Sequence, residues 1–128
     1  MPTQTIDTPF AVFVVEPGAR VHVTAKPGDH TLVEATATMA LFGRICSEHG
    51  KRVRALVDMR ATRSVSREAR QLYLHDGGVN LGTALLVDSG ISRVIGNFII
   101  SLNKGAVQVR LFEDEQAARA WLEGLVDE

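Results

Sequence analysis

Between Leu56 and Arg70 the chain reads LVDMRATRSVSREAR, a stretch in which hydroxyl and guanidinium groups crowd together. Asp58 ends an apolar run, Arg60, Arg63, Arg67 and Arg70 follow at intervals of three or four residues, and Ser64 and Ser66 sit among them. Arginine forks take carboxylates or phosphates bidentately, and the free amides of a helix start favour anions. Asp58, Arg60, Ser64, Ser66, Arg67 and Arg70 therefore form a candidate surface for an anion or a partner. A plainer arrangement uses the same residues: Ser64 or Ser66 caps a helix while Arg67 and Arg70 point into water. Both readings stand on the sequence.

Other chemistry-bearing residues are scattered. Asp88 precedes Ser89 at a strand end, where a carboxylate either meets a ligand or caps the next helix. Arg93 and Asn97 interrupt an apolar segment, Ile91 to Leu102, that suits a core helix. The same segment also suits the wall of an apolar pocket for a small, lipid-like molecule, its head oriented by Arg93 or Asn97. His22, His30, His49 and His75 offer no close helical pair, and a lone Cys46 permits neither an internal disulfide nor a cysteine zinc cluster. No G-x-S-x-G elbow, phosphate loop or dinucleotide fingerprint occurs. No catalytic residue, metal or cofactor is assigned, since an enzyme would need a site assembled from distant groups such as His22, Asp58 and Asp88.

The elements that must hold these residues are marked by changes of hydrophobic period. FAVFVV at 10–15 and the alternating RVHVTA at 20–25 read as a hairpin joined at Pro17-Gly18. Thr31-Leu32-Val33-Glu34 is a capping box opening a long helix whose apolar positions include Ala37, Leu41, Ile45 and Cys46, with Gly50 as its stop. Strand then helix follows three times: 52–59 and 64–75, 81–87 and 91–102, 107–112 and 115–125. The order β-β-α-β-α-β-α-β-α makes an α/β fold. It predicts a mixed, mostly parallel sheet with an N-terminal hairpin and its helices mainly on one face. Val21, Val23, Val109 and Leu111 alternate with Arg20, His22, Thr24 and Arg110, so the other face is expected to be wet or used by a second copy.

At 128 residues, 45% hydrophobic and 23% charged, with mean hydropathy +0.06, the composition is that of one globular domain, read as 1–128 with 1–8 flexible. No apolar run approaches the ~20 residues of a membrane span, and MPTQTIDT lacks a secretory signal, so a cytoplasmic protein is expected. A formal charge of −1 argues against nucleic acid as a partner. Charge is unevenly placed, however: residues 51–70 carry seven basic against two acidic side chains, and residues 113–128 one basic against six acidic. Such segments meet within one domain, meet between copies, or face water.

This order of elements, with Leu56-Val57-Asp58-Met59-Arg60 ending the third strand, resembles the SpoIIAA-like fold shared by STAS domains and the CRAL-TRIO lipid-transfer family. Ser66-Arg67-Glu68-Ala69-Arg70, Ile91 to Phe98, and Leu111-Phe112 with Ala118 and Trp121-Leu122 look like a family of small stand-alone bacterial STAS-like proteins of unassigned function. In anti-anti-sigma factors of the STAS group, a phosphorylatable serine at the start of the helix after this strand gates binding to a kinase. Its Asp-Ser-Ser-Gly-like motif is absent here, and Val65-Ser66-Arg67-Glu68 holds the corresponding place, so Ser66 or Ser64 stands there by analogy. The resemblance implies a non-enzymatic regulatory or protein-binding domain that forms homo-oligomers. The alternative is a small-molecule or lipid-like carrier with its pocket near the 91–102 helix.

Overall fold

The structure, a computed structural model, describes residues 3–49, 52–73, 80–88, 90–102 and 108–125. Along the chain these form β1 (Gln4–Asp7), β2 (Ala11–Glu16), β3 (Arg20–Ala25), β4 (Gly28–His30), α1 (Leu32–His49), β5 (Val53–Asp58) and β6 (Thr62–Val65). Then come α2 (Arg67–Tyr73), β7 (Asn80–Leu86), α3 (Ile91–Leu102), β8 (Val109–Phe112) and α4 (Glu115–Glu123). One sheet runs in the order β1-β2-β3-β5-β7-β8, antiparallel through β3 and parallel from there onward. A separate parallel ribbon pairs β4 with β6.

Two-residue alternation sorts the sheet into two faces. Phe13, Val23, Val57, Leu85 and Leu111 stand in register across five strands and line the first face. There α1 buries Phe42, Ile45 and Cys46 against Phe13, Val21, Val23 and Ala55. On the same face α2 and α3 bring Ala69 and Ile95 onto Leu85, Val87 and Met59. Phe13 is fully buried. Cys46 is buried, the small hydrophobe its place in the helix pattern implies.

Three helices thus share one face, but α4 lies on the other. Ala118 and Leu122 pack on Leu56, Ala84 and Leu86, and the Trp121 ring meets Phe112 with centroids 5.7 Å apart. The second face, expected to be wet or used by a second copy, is instead covered over β5 and β7 by this helix. In β5 and β7 both faces are apolar, Leu56, Ala84 and Leu86 toward α4 and Ala55, Val57 and Leu85 toward the other helices, so the β5–β7 region must be covered twice. Only the β1–β3 half keeps the alternating pattern, with Val12 and Val14 half-buried and Thr24 exposed.

Two short strands and a terminal one were hidden from the period reading. Gln4–Asp7, expected to be flexible, pairs with Asp7↔Val12 through Gln4↔Val15 as an edge strand. Thr62–Val65 forms β6, so the helix placed at 64–75 begins at Arg67. Thr62 and Val65 are buried while Arg63 and Ser64 face out, a three-residue spacing that a helix would share, so the strand is defined by its pairing with β4 and not by its pattern. At the hairpin, Gly18 takes φ +82° as the Pro-Gly turn requires, and Ala19 follows at +59°. The expected stop at Gly50 and the breaks at Gly77-Gly78, Ser89 and Lys104-Gly105 lie outside the described residues.

Candidate functional site

The carboxyl ends of the parallel strands and the β4–β6 ribbon build the surface that carries the sequence candidates. Asp58, last in β5, accepts from the Arg60 backbone N–H at 3.1 Å and from Arg60 Nε at 3.0 Å, while Arg60 Nη2 donates to Oδ2 at 2.7 Å. Burial pushes the Asp58 carboxyl up, but the Arg60 side chain and amide together outweigh it and hold the group below its ordinary value. The same bond raises the Arg60 guanidinium. These two residues occupy each other, which leaves anion contacts to the next arginines.

Ser64 and Ser66 separate in role. Ser66 Oγ accepts from the Ala69 N–H at 3.1 Å and so caps α2. Ser64 is exposed on β6 and donates to Asp29 Oδ1 across the ribbon at 2.7 Å. Arg63 and Arg67 are exposed and form no ion pair among the described residues. The Arg70 side chain lies outside the described ones. Flanking the ribbon, α1 begins with Leu32 and Val33 and α3 with Ile91 and Val94, all exposed, Val33 by 72%. The starts of both helices join this surface because β4 leads straight into α1 and α3 packs on β6.

Asp88 anchors the start of α3. Its Oδ1 accepts from the Gly90 N–H and from Ser92 Oγ, each at 2.8 Å, and its own N–H donates to Ser92 Oγ. The Gly90 amide first, and then the Ser92 hydroxyl, hold the carboxyl below its ordinary range. Arg93 pairs with Glu113 and Asn97 is exposed on α3. No cluster of His, Cys, Asp or Glu suited to a metal ion occurs among the described residues. None of the described helices is long and apolar enough to cross a membrane.

A second constellation escaped the sequence reading. A cleft beside α4 is lined by Glu16, Arg20, His22, Arg54, Leu56, Arg119 and Leu122. Arg119 Nη2 meets His22 Nδ1 at 3.0 Å, and its other nitrogens reach Glu16 and Glu115 at 3.3 and 3.1 Å. Arg54 Nε and Nη2 donate to the Leu122 and Leu125 carbonyls at 2.8 and 2.7 Å, and Arg20 clasps Glu123. The basic strand residues thus take hold of the acidic C-terminal segment within one domain. The opposed charges of 51–70 and 113–128 did not signal it: from the basic segment Arg54 reaches this helix, and on carbonyls, while the carboxylate contact that crosses joins Arg20 to Glu123, 103 residues apart.

The layered sheet, its N-terminal hairpin and the helix-bearing strand ends define an α/β domain of the SpoIIAA-like, STAS-type fold. An uncharacterized DUF3478-family protein with a SpoIIAA-like fold from Shewanella loihica superposes with a TM-score of 0.60 at 15% identity, over 94% of this chain and 92% of that one. An anti-sigma factor antagonist from Mycobacterium paratuberculosis gives 0.59 at 14% identity, over 95% and 93%. No functionally curated protein matches the chain. The chain belongs to the DUF7793 family, a domain of unknown function, whose model matches residues 20–126.

Proposed function

We propose that this domain is a non-enzymatic regulatory module that docks a protein partner on the β4–β6 ribbon and the start of α2. The observation that carries this reading is the ribbon's composition. Arg63 and Arg67 lie exposed without an ion pair among the described residues, and α1 and α3, which contact the ribbon's two strands, carry the exposed Leu32, Val33, Ile91 and Val94 in their first turns. Unpaired guanidinium beside exposed apolar side chains is the makeup of a protein-binding patch, where an apolar centre supplies area and arginine supplies specificity. The anti-sigma factor antagonist with the same fold supports a partner-binding role.

Ser64 is the residue of this patch open to modification. A phosphate there carries about −1.5 to −2 charge at neutral pH. It would replace the Ser64–Asp29 bond with like-charge repulsion across the ribbon and draw Arg63 and Arg67 toward it. Ser66 is less suited, because its oxygen already caps α2.

Affinity capture from cells that make the protein, with mass mapping of Ser64, tests the reading. A partner retained by wild type and by Arg44→Glu, but lost from the Arg63→Glu, Arg67→Glu double variant, supports it. Identical captures from all three chains reject it.

A further inference from the structure

From the cleft on the second face we infer that α4 is held down by a proton-operated latch, in which protonation of His22 at Nδ1 evicts Arg119 and loosens the helix. The geometry sets the tautomer. Because Nδ1 receives the Arg119 N–H at 3.0 Å, the neutral ring carries its proton on Nε2. That Nε2 is buried and has no hydrogen-bond partner among the described residues. A second proton has to go to Nδ1, the atom the guanidinium occupies, and it places two cations in contact.

Every element packed around His22 brings charge to the decision. From β2 comes Glu16, from β3 Arg20, from β5 Arg54 and Asp58, and from α4 Glu115, Arg119 and Glu123. Burial first and the Arg119 charge second lower the pKa of His22, against the smaller opposing pull of Glu115, Asp58 and Glu16. The docked helix therefore prefers neutral His22, whereas a released helix returns the ring to its ordinary pKa of about 6.5. Acid favours release. At neutral pH the latch is closed, and between the ordinary and the docked pKa its equilibrium moves tenfold per pH unit toward the open side. Arg119 is well placed to transmit the change, since Glu115, one turn earlier on its own helix, already holds it at 3.1 Å and moves with it.

The latch differs from the docking patch in residues and in face, so its test is separate. Hydrogen exchange read by mass spectrometry on peptides covering 115–125, corrected for intrinsic rates from pH 8 to pH 5, reports release of α4. Protection of that helix should fall by up to tenfold per pH unit below about 6.5 while α1 peptides hold. In His22→Gln the fall should vanish. A flat wild-type profile, or an equal fall in His22→Gln, overturns the inference. Should that variant not fold, Arg119→Gln decides the matter through the NMR titration of His22: its midpoint should rise, and an unchanged midpoint refutes the latch.

Discussion

Replacing Arg54 by methionine keeps the aliphatic stem and deletes both bonds to the end of α4, at 2.8 Å to the Leu122 carbonyl and 2.7 Å to the Leu125 carbonyl. A hydrogen bond from a charged donor contributes about 1.5–3 kcal/mol net. The two bonds share one half-buried guanidinium, so the expected loss is ~2–3 kcal/mol rather than the doubled figure. For a domain of this size that lowers the melting temperature by roughly 6–15 °C, at about 3–5 °C per kcal/mol. Urea denaturation followed by Trp121 fluorescence reads the change directly, because that ring rides on α4 against Phe112. Arg44→Met is the control: its nearest contact is an exposed Glu48 at 4.0 Å, and such pairs are worth under about 0.5 kcal/mol. A loss below ~0.5 kcal/mol in Arg54→Met, the level of an exposed pair, with α4 exchange unchanged, would refute the idea that the strand arginines fasten this helix.

Close packing under α4 is tested at Gly82, where an added Cβ collides with Leu125 and comes within 3.6 Å of Trp121. Gly82→Val should cost about 1–3 kcal/mol in denaturant and reduce protection in α4 more than in α1. Ser66→Ala removes the α2 cap and should cost ~1 kcal/mol, whereas exposed Ser64→Ala should stay within about 0.5 kcal/mol; equal effects on stability would contradict their separate roles. Asp58 has a folded pKa below its ordinary 3.8, so the stability it contributes is fully present above that value and disappears as pH falls through the folded pKa. The stability gap between wild type and Asp58→Asn should accordingly be constant above about pH 5 and shrink in stronger acid; a gap independent of pH would show that the carboxylate is not what Arg60 holds.

The legible parts of the fold were those with a long, single period. FAVFVV, RVHVTA and the stripe through Ile45 and Cys46 declare their strands and helix because each buries one continuous side. β4 and β6 did not declare themselves, since three or four residues hold too little of a period and Gly28–His30 has no apolar alternation at all. The site divides in the same way. Ser66 as a cap is a local matter of a serine preceding a helix, within reach of sequence. The Asp58–Arg60 pair is local too, yet its consequence, that Arg60 is already engaged, requires geometry. The His22–Arg119 contact joins residues 97 positions apart, and only the packing of α4 on β5 and β7, with β3 beside β5 in the sheet, brings them together.

The most direct measurement places a photo-crosslinking amino acid at Arg63 or Arg67 in turn, and at Arg44 and Thr5 for comparison, in cells that naturally make the protein. A discrete adduct to one other protein from positions 63 and 67, weakened by phosphorylation-mimicking Ser64→Glu and absent from 44 and 5, is the predicted result. Adducts confined to positions 44 or 5, or none from 63 and 67, would contradict a docking surface on the β4–β6 ribbon.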